Sequence, residues 1–524
     1  MNDAHIAGRS FAIATPHRLA SDAGAEAFRE GGNAIDAAVA AAAALTVVYP
    51  HNCAVGGDIM ALVQTPQGGA LTVNGSGASA SAASASDLRE THAQMPLIGP
   101  APVTVPGAVA AWTTLLSLGG RRPLAHALEG AVVYADEGVA VSRSLALAIG
   151  VLQRELAADA GLRAVFLADG APLPEGAPLC QPALARTLRA IAADGPSVLY
   201  GGEVGANLVK RLRSLGSRLT LDDFALHETA LAEPIAGRFN GLEVLTAPPN
   251  SQGFVLLEIL AAFEALGGSA RLGEDDAGIL ARLFALTAGD RDRHLADPDF
   301  ADIPVDELLS ASHVDGLVRD ASSGAPLPSP PAPPAGSGDT VAVVAADSEG
   351  YAVSLIQSIF STFGAQVFDP VTGILLHNRG ASFSLDESSP NVLVGGKRPA
   401  HTLMPVLLRS AGRVVGVNGT MGGLAQAQIH AHLLLAARGG ASPAETVRSP
   451  RWIVGTLEDG GTLTVVAESD VPEPAVAAIE AAGFAVEKVA ALSEAVGHAQ
   501  AIRIDDGDFL AGSDPRADGS AVVL

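Results

Sequence analysis

The sequence predicts an α+β chain in which two packed sheets lie between helical layers. Three observations carry this. Strand-like runs stand toward both ends, the stretch from 106 to 320 is mostly helical in its Leu/Ala patterning, and a Pro/Gly/Ser-rich segment gives way abruptly to an apolar, β-branched hairpin.

Pro16 to Arg29 is amphipathic and predicts a helix. Ala34 to Val48 is Ala-rich and apolar nearly all round, which predicts a helix buried by a sheet; it carries Asp36 and falls short of the ~20 residues a membrane span needs. Ile59 to Val63 and Ala70 to Val73 read as a strand pair, and Pro106-Gly107 opens a helical segment that runs through Leu118. From Ala321 to Gly338, Pro removes backbone donors and Gly and Ser leave the chain unrestrained, so a flexible tether is expected. Thr340 to Asp347 is then a strand, Ser348-Glu-Gly350 a turn, and Tyr351 to Ile356 the returning strand. Residues 340 to 470 are mainly strands, with one clear helix from Ala425 to Ala437. No internal repeat of fixed period is present.

Composition narrows the function by exclusion. A net charge of −24, from 56 acidic against 32 basic residues, argues against nucleic acid and anionic membrane as partners. Two cysteines, Cys53 and Cys180, give no disulfide framework. Met1 to Ser10 lacks a basic start followed by an apolar core, so a cytoplasmic location is expected. There is no Gly-x-Ser-x-Gly elbow, His-Glu-x-x-His, Walker loop or dinucleotide-binding Gly-x-Gly-x-x-Gly, and no cofactor is expected. His430 and His432, two apart on a helix, cannot share a face; Asp514-Pro515 looks like a turn, and although Asp514 to Gly519 could mimic an ion-binding loop, no metal is expected at either place.

The boundary Asp339-Thr340 is the chemically suggestive point. A threonine that follows a loose tether and begins a buried strand is where a self-cleaving hydrolase would expose a new N-terminus. The hydroxyl would then be the nucleophile, and the freed α-amine, with an ordinary pKa of about 7.7–8.0, the base. Cleavage would leave fragments 1–339 and 340–524. The residues also admit a plainer reading, a Pro-rich surface loop with Thr340 an ordinary strand residue.

A set of ordered motifs bears on this choice. Gly31-Gly-Asn-Ala-Ile-Asp-Ala-Ala-Val39, Pro50-His51 with Gly56-Gly-Asp58, Val105-Pro-Gly107, Pro248-Pro-Asn-Ser-Gln-Gly253, Ala296-Asp-Pro-Asp-Phe300, Lys397-Arg-Pro399, Gly422-Gly423, Gly497-His-Ala-Gln500 and Ser513 to Gly519 follow one another nearly from end to end. Together they resemble the γ-glutamyltranspeptidase family of N-terminal nucleophile hydrolases. The resemblance implies a four-layer αββα sandwich built from two autoprocessed fragments, 1–339 and 340–524, associated as a heterodimer, with higher oligomers possible. It implies Thr340 as nucleophile, Ser358 as the hydroxyl that steadies it, and the Gly422-Gly423 backbone N–H groups as the oxyanion hole.

The substrate-facing positions depart from the family. Ala78 stands where an arginine would hold an α-carboxylate, and Ser382 where an acidic residue would hold an α-amine; His401-Thr402 replaces paired serines and Phe360 an asparagine. Tight recognition of a zwitterionic glutamyl group is therefore not expected, because a buried charge without its partner costs several kcal/mol. Asn378, Arg379, Ser382, His401 and Thr402 are the expected substrate-binding residues, with Arg379 suited to a bidentate carboxylate. A small carboxylated amide such as oxamate fits, as in a divergent branch that resembles oxamate amidohydrolases and cephalosporin acylases. A γ-glutamyl hydrolase or transferase acting on glutathione, and an unprocessed binding protein of the same fold, remain the alternatives.

Overall fold

The structure, a computed structural model of the uncut chain, describes residues 11–267, 271, 273–324, 327, 339–455 and 463–524. The tether expected from Ala321 lies mostly outside these residues, and its first two residues are instead the end of a helix, Ala311–Ser322.

Among the described residues, thirteen strands build two antiparallel sheets. In chain order they are β1 (Phe11–Thr15), β2 (Asp58–Gln64), β3 (Ala70–Gly75), β4 (Ala230–Ala232), β5 (Ile235–Phe239), β6 (Leu242–Thr246), β7 (Asp339–Asp347), β8 (Ala352–Phe360), β9 (Val406–Ser410), β10 (Arg413–Met421), β11 (His498–Asp505), β12 (Asp508–Ser513) and β13 (Ser520–Val523). One sheet has the order β13-β1-β7-β8-β2-β3-β4 and the other β12-β11-β10-β9-β6-β5. The helices used below are α1 (Arg18–Arg29), α2 (Ala34–Val48), α3 (Ala108–Ser117), α4 (Gly253–Ala265), α5 (Ala277–His294), α6 (Ala311–Ser322) and α7 (Gln426–Arg438).

The period-two alternation of the strands assigns the layers. Ala342, Val344 and Ile356 point from the first sheet to Leu245, Leu403, Leu407 and Val417 of the second sheet and its flanks. Their neighbours Val341, Val343, Val353 and Leu355 point the other way, into a core shared with Ile35, Val39 and Trp112 of α2 and α3. On the far side Val244, Val406 and Leu408 pack with Phe254, Phe284 and Leu434 of α4, α5 and α7. The result is the four-layer αββα sandwich. The sheets approach closely at Gly419, where an added Cβ would stand 2.9 Å from that of Ala342.

Helix α2 is buried along its whole length, as its Ala-rich sequence predicts, and its start explains one motif. Asn33 and Asp36 form a capping box. The Asp36 carboxylate also accepts the backbone N–H groups of Arg121 and Arg122, while Asp347 of β7 accepts that of Ala34. Asp36 is thus a structural anion at a helix N-terminus.

Two features differ from the sequence reading. Strands β4 to β6 interrupt the stretch expected to be mostly helical, and β1 precedes the helix with which that reading began. The β5–β6 hairpin turns through Asn240 and Gly241, with φ of 52° and 77°. Asn-Gly is the strongest short hairpin signal, and here it was available. Among the described residues no helix is long and apolar enough to cross a membrane.

The core also holds histidines that burial keeps neutral. It pushes His17, His227, His401 and His498 down to about 4, and His51, His430 and His432 to about 3. The unfolded chain takes up these protons near pH 6.5 whereas the folded chain does not, so stability falls as pH drops from 6.5 toward 4. Glu258, pushed up by burial to about 8, and Asp347 and Glu494, also raised by burial, act in the opposite sense, but as three groups against seven. The melting temperature is expected to fall steeply across this interval; a flat or rising profile would show that these histidines are protonated in the native state.

Candidate functional site

The chemistry concentrates where three neighbouring strands of the first sheet carry Thr340, Ser358 and Asp58 in one row. Thr340 of β7 pairs with Ser358 of β8, and Ser358 pairs with Asp58 of β2. All three side chains are buried and project from the same face, toward the second sheet. The Thr340 hydroxyl donates to Ser358 Oγ over 3.1 Å, and Ser358 Oγ accepts the Phe360 N–H at 2.8 Å.

The register breaks at the bond of interest. Asp339 pairs with Phe360 and Thr340 with Ser358, so Ile359 is an extra residue on β8 and forms a bulge. Phe360 takes φ 76°, a left-handed conformation unusual for a bulky residue. Bulge and strained phenylalanine together set the Asp339–Thr340 bond at the end of regular pairing, where the ladder no longer constrains its carbonyl as in mid-strand.

Asp58 organises the opposite side of the row. Its Oδ2 accepts Arg379 Nε at 3.0 Å and His401 Nε2 at 2.9 Å, its Oδ1 lies 3.4 Å from Arg379 Nη2, and His377 Nδ1 stands 3.5 Å from Oδ2. Burial opposes charge on this carboxylate, but Arg379 and His401 outweigh burial and hold it well below the usual carboxylate range. His401 Nδ1 accepts the Leu403 N–H at 3.3 Å, which leaves the ring proton on Nε2 for Asp58. Arg379 Nη1 donates to Thr402 Oγ1 at 3.1 Å, and the guanidinium lies 4.5 Å from the centre of the Phe360 ring.

The glycine turn reaches the same region from the second sheet. Along β10, Asn418 O accepts the hydroxyl of Ser354, and Gly419 faces Ala342 and Ile356. Each step therefore moves toward Thr340, and the strand ends at Met421 with Gly422 and Gly423 next. Gly423 has φ 51°, and the turn feeds α7. Gln252, at the start of α4, fixes it by donating to both Gly423 O at 3.0 Å and Thr402 O at 2.8 Å. A pair of backbone N–H groups at such a turn can stabilise a developing oxyanion.

Not all expected substrate ligands have free groups. The Arg379 fork that the sequence suggested for a substrate carboxylate is occupied by Asp58. Asn378 spends its amide on the Leu97 carbonyl and Ser361 Oγ, at 2.9 and 3.0 Å, and accepts the Ser361 N–H. Ser382 Oγ is within hydrogen-bonding distance of the Arg379 and Ala400 carbonyls, at 2.9 and 2.8 Å. These residues shape the wall beside Thr340 more than they offer open charges. Ala78 sits in the loop whose carbonyl accepts the Val105 N–H at 3.0 Å and brings no charge. Asp514 is paired with Arg451 and Arg516 at 3.1 and 3.0 Å, and His430 and His432 are buried apart from it in contacts of their own.

Asp58 and Gln252 are the site residues that sequence reasoning left without a role. Both lie in motifs already noted, Gly56-Gly-Asp58 and Pro248 to Gly253. A buried carboxylate directly after two glycines is the signal: a Cβ on Gly56 would strike Leu375 O at 2.2 Å and one on Gly57 would strike Ser358 O at 2.3 Å. The glycines let the backbone close around Asp58.

Comparison with known proteins agrees with this arrangement. The family model described as gamma-glutamyltranspeptidase matches residues 20–524. The chain is 36% identical to the glutathione hydrolase-like YwrD proenzyme of Bacillus subtilis (strain 168), and 36% identical to the oxamate amidohydrolase proenzyme of Klebsiella pneumoniae, with 99% of each chain covered in both cases. The crystal structure of cephalosporin acylase from Bacillus halodurans superposes with a TM-score of 0.92 at 30% identity, covering 100% of this chain and 97% of that one. With the sandwich, the threonine at a strand start and the glycine turn in place, the chain belongs to the γ-glutamyltranspeptidase family and is an amidohydrolase of the N-terminal nucleophile fold.

Proposed function

We propose that the chain is a proenzyme that cuts its own Asp339–Thr340 bond and then hydrolyses a small carboxylated amide through an acyl-Thr340 ester. The observation that carries this is the row Thr340–Ser358–Asp58 at a bulge, with the nucleophile's hydroxyl already hydrogen-bonded to Ser358. The two proenzyme relatives support self-processing.

In the first stage Thr340 Oγ attacks the Asp339 carbonyl, the peptide nitrogen leaves as the new α-amine, and water hydrolyses the ester. Fragments 1–339 and 340–524 remain associated. In the second stage the α-amine takes the Thr340 hydroxyl proton as Oγ attacks the substrate amide. The N–H groups of Gly422 and Gly423 receive the oxyanion, ammonia or an amine departs with a proton, and water releases the acid. For oxamate the products are oxalate and ammonia.

Identity does not separate the substrates, since the glutathione hydrolase-like and oxamate-cleaving relatives match equally well. The side chains do. Ala78 and Ser382 offer no charges for a glutamyl α-carboxylate and α-amine, and Phe360 over Arg379 fills space near the nucleophile. With the Arg379 fork engaged by Asp58, the carboxylate of a short substrate would meet the remaining Arg379 N–H groups and Thr402, so Arg379 both supports the wall and supplies hydrogen-bond donors.

Thr340→Ala should purify as one uncut chain of 524 residues, whereas the wild type should show two bands, the smaller beginning with Thr340 on N-terminal sequencing. When fragments 1–339 and 340–524 are coexpressed, Thr340→Ser should retain reduced activity and Thr340→Ala none; an active alanine variant would place the nucleophile elsewhere. On processed enzyme, kcat/KM for oxamate should exceed that for glutathione by roughly 10- to 100-fold, the equivalent of about 1.5–3 kcal/mol of lost charged contacts. A preference for glutathione would overturn the substrate assignment while leaving the self-cleavage intact. Arg379→Ala should lower the melting temperature, because leaving Asp58 buried without its partner costs about 3–5 kcal/mol, and Arg379→Lys should recover little. Wild-type melting of Arg379→Ala would show that the pair does not support the fold.

A further inference from the structure

Outside the Thr340 region, one cluster of side chains brings two carboxylates onto a single imidazole, joined by a His313–Asp290 hydrogen bond. Glu258 of α4, Asp290 of α5 and His313 of α6 each direct one donor atom to a common point, all within 4.8 Å of one another. His313 Nε2 is 3.0 Å from Asp290 Oδ2 and 3.4 Å from Glu258 Oε1. Arg293 holds the other Asp290 oxygen at 2.6 Å, which turns Oδ2 toward the cluster. Glu258 is fully buried, and among the described residues neither of its oxygens has a hydrogen-bond partner. A buried carboxylate left in that state is costly and calls for a cation or a proton.

The spacing that makes the His313–Asp290 hydrogen bond also suits a shared cation. Donors held at about 2.1 Å from one ion with angles between octahedral and tetrahedral lie about 3.0–3.4 Å apart, the two separations measured at His313. Two carboxylates with an imidazole suit a first-row divalent ion better than calcium or magnesium, which prefer oxygen alone. We propose that Glu258, Asp290 and His313 form a binding site for a first-row divalent cation such as Zn2+. The His313 side chain is 27% exposed and provides the route of entry.

The position gives the site a structural role. Helix α6 is the last described helix before Asp339, and the ion would fasten it to α4 and α5. Those two helices brace the glycine turn: Gln252 at the start of α4 holds Gly423 O, and Arg291 of α5 donates to Leu424 O at 3.2 Å.

The test uses full-length protein stripped with a chelator and titrated with ZnCl2 by calorimetry. One Zn2+ per chain should bind, with a rise in melting temperature, and Glu258→Gln and His313→Ala should each weaken binding at least tenfold and abolish that rise. In the wild type, Zn2+ should also protect His313 from carbethoxylation by diethyl pyrocarbonate, read by peptide mass spectrometry; this needs no variant to fold. No stoichiometric binding, wild-type affinity in both variants, or an unprotected His313 at saturating Zn2+ would overturn the proposal and leave a carboxyl–carboxylate pair sharing a proton.

Discussion

The buried contact between Asp58 and Arg379 is the constraint around which the site is arranged. Asp58 sits on β2, in the middle of the first sheet, while Arg379 and His401 come from irregular segments that would otherwise have no reason to approach it. A carboxylate there without partners would be untenable, so its charge dictates where those segments go. Thr402 follows through Arg379, Gln252 through Thr402, and the glycine turn through Gln252. One carboxylate thus reaches, by successive hydrogen bonds, from the sheet that carries Thr340 to the facing one.

The same arrangement underlies the proposal of a small substrate. Arg379 is largely neutralised by Asp58, and burial keeps His401 uncharged. The centre of the Phe360 ring lies 4.5 Å from the guanidinium. The surroundings of Asp58 are consequently poor in unpaired charge, which supports the proposal of a short acid amide over a zwitterion.

Much of this was legible in the sequence, for reasons that differ by element. Helix α2 and the hairpin β7–β8 were clear because composition and pattern agree: uninterrupted small apolar residues in one, β-branched alternation around a Ser-Glu-Gly turn in the other. Strands β4 to β6 were not, since they are short and flanked by strongly helical sequence, and only Asn240-Gly241 betrayed them. Thr340 could be singled out because a composition break sits beside it. The partner of Arg379 could not, because a side chain's occupancy is a matter of which residue lies opposite in space, and Asp58 is 321 positions away. Its preceding glycines hinted at close packing without saying against what.

The two sheets exchange strands across the Asp339–Thr340 boundary. Strands β1 to β6 precede it and contribute to both sheets; β7 to β13 follow it and also contribute to both, with β7 and β8 lying between β1 and β2. The two segments are therefore woven together, and neither is a domain with a core of its own. Severing the chain there would cost little cohesion, because every ladder and both helical layers would persist. Conversely, the row Thr340–Ser358–Asp58 beside the bond exists only once β8 has paired with both β7 and β2. A backbone cut at that place would act as a timestamp of completed assembly, available to a finished sandwich and denied to a half-folded one.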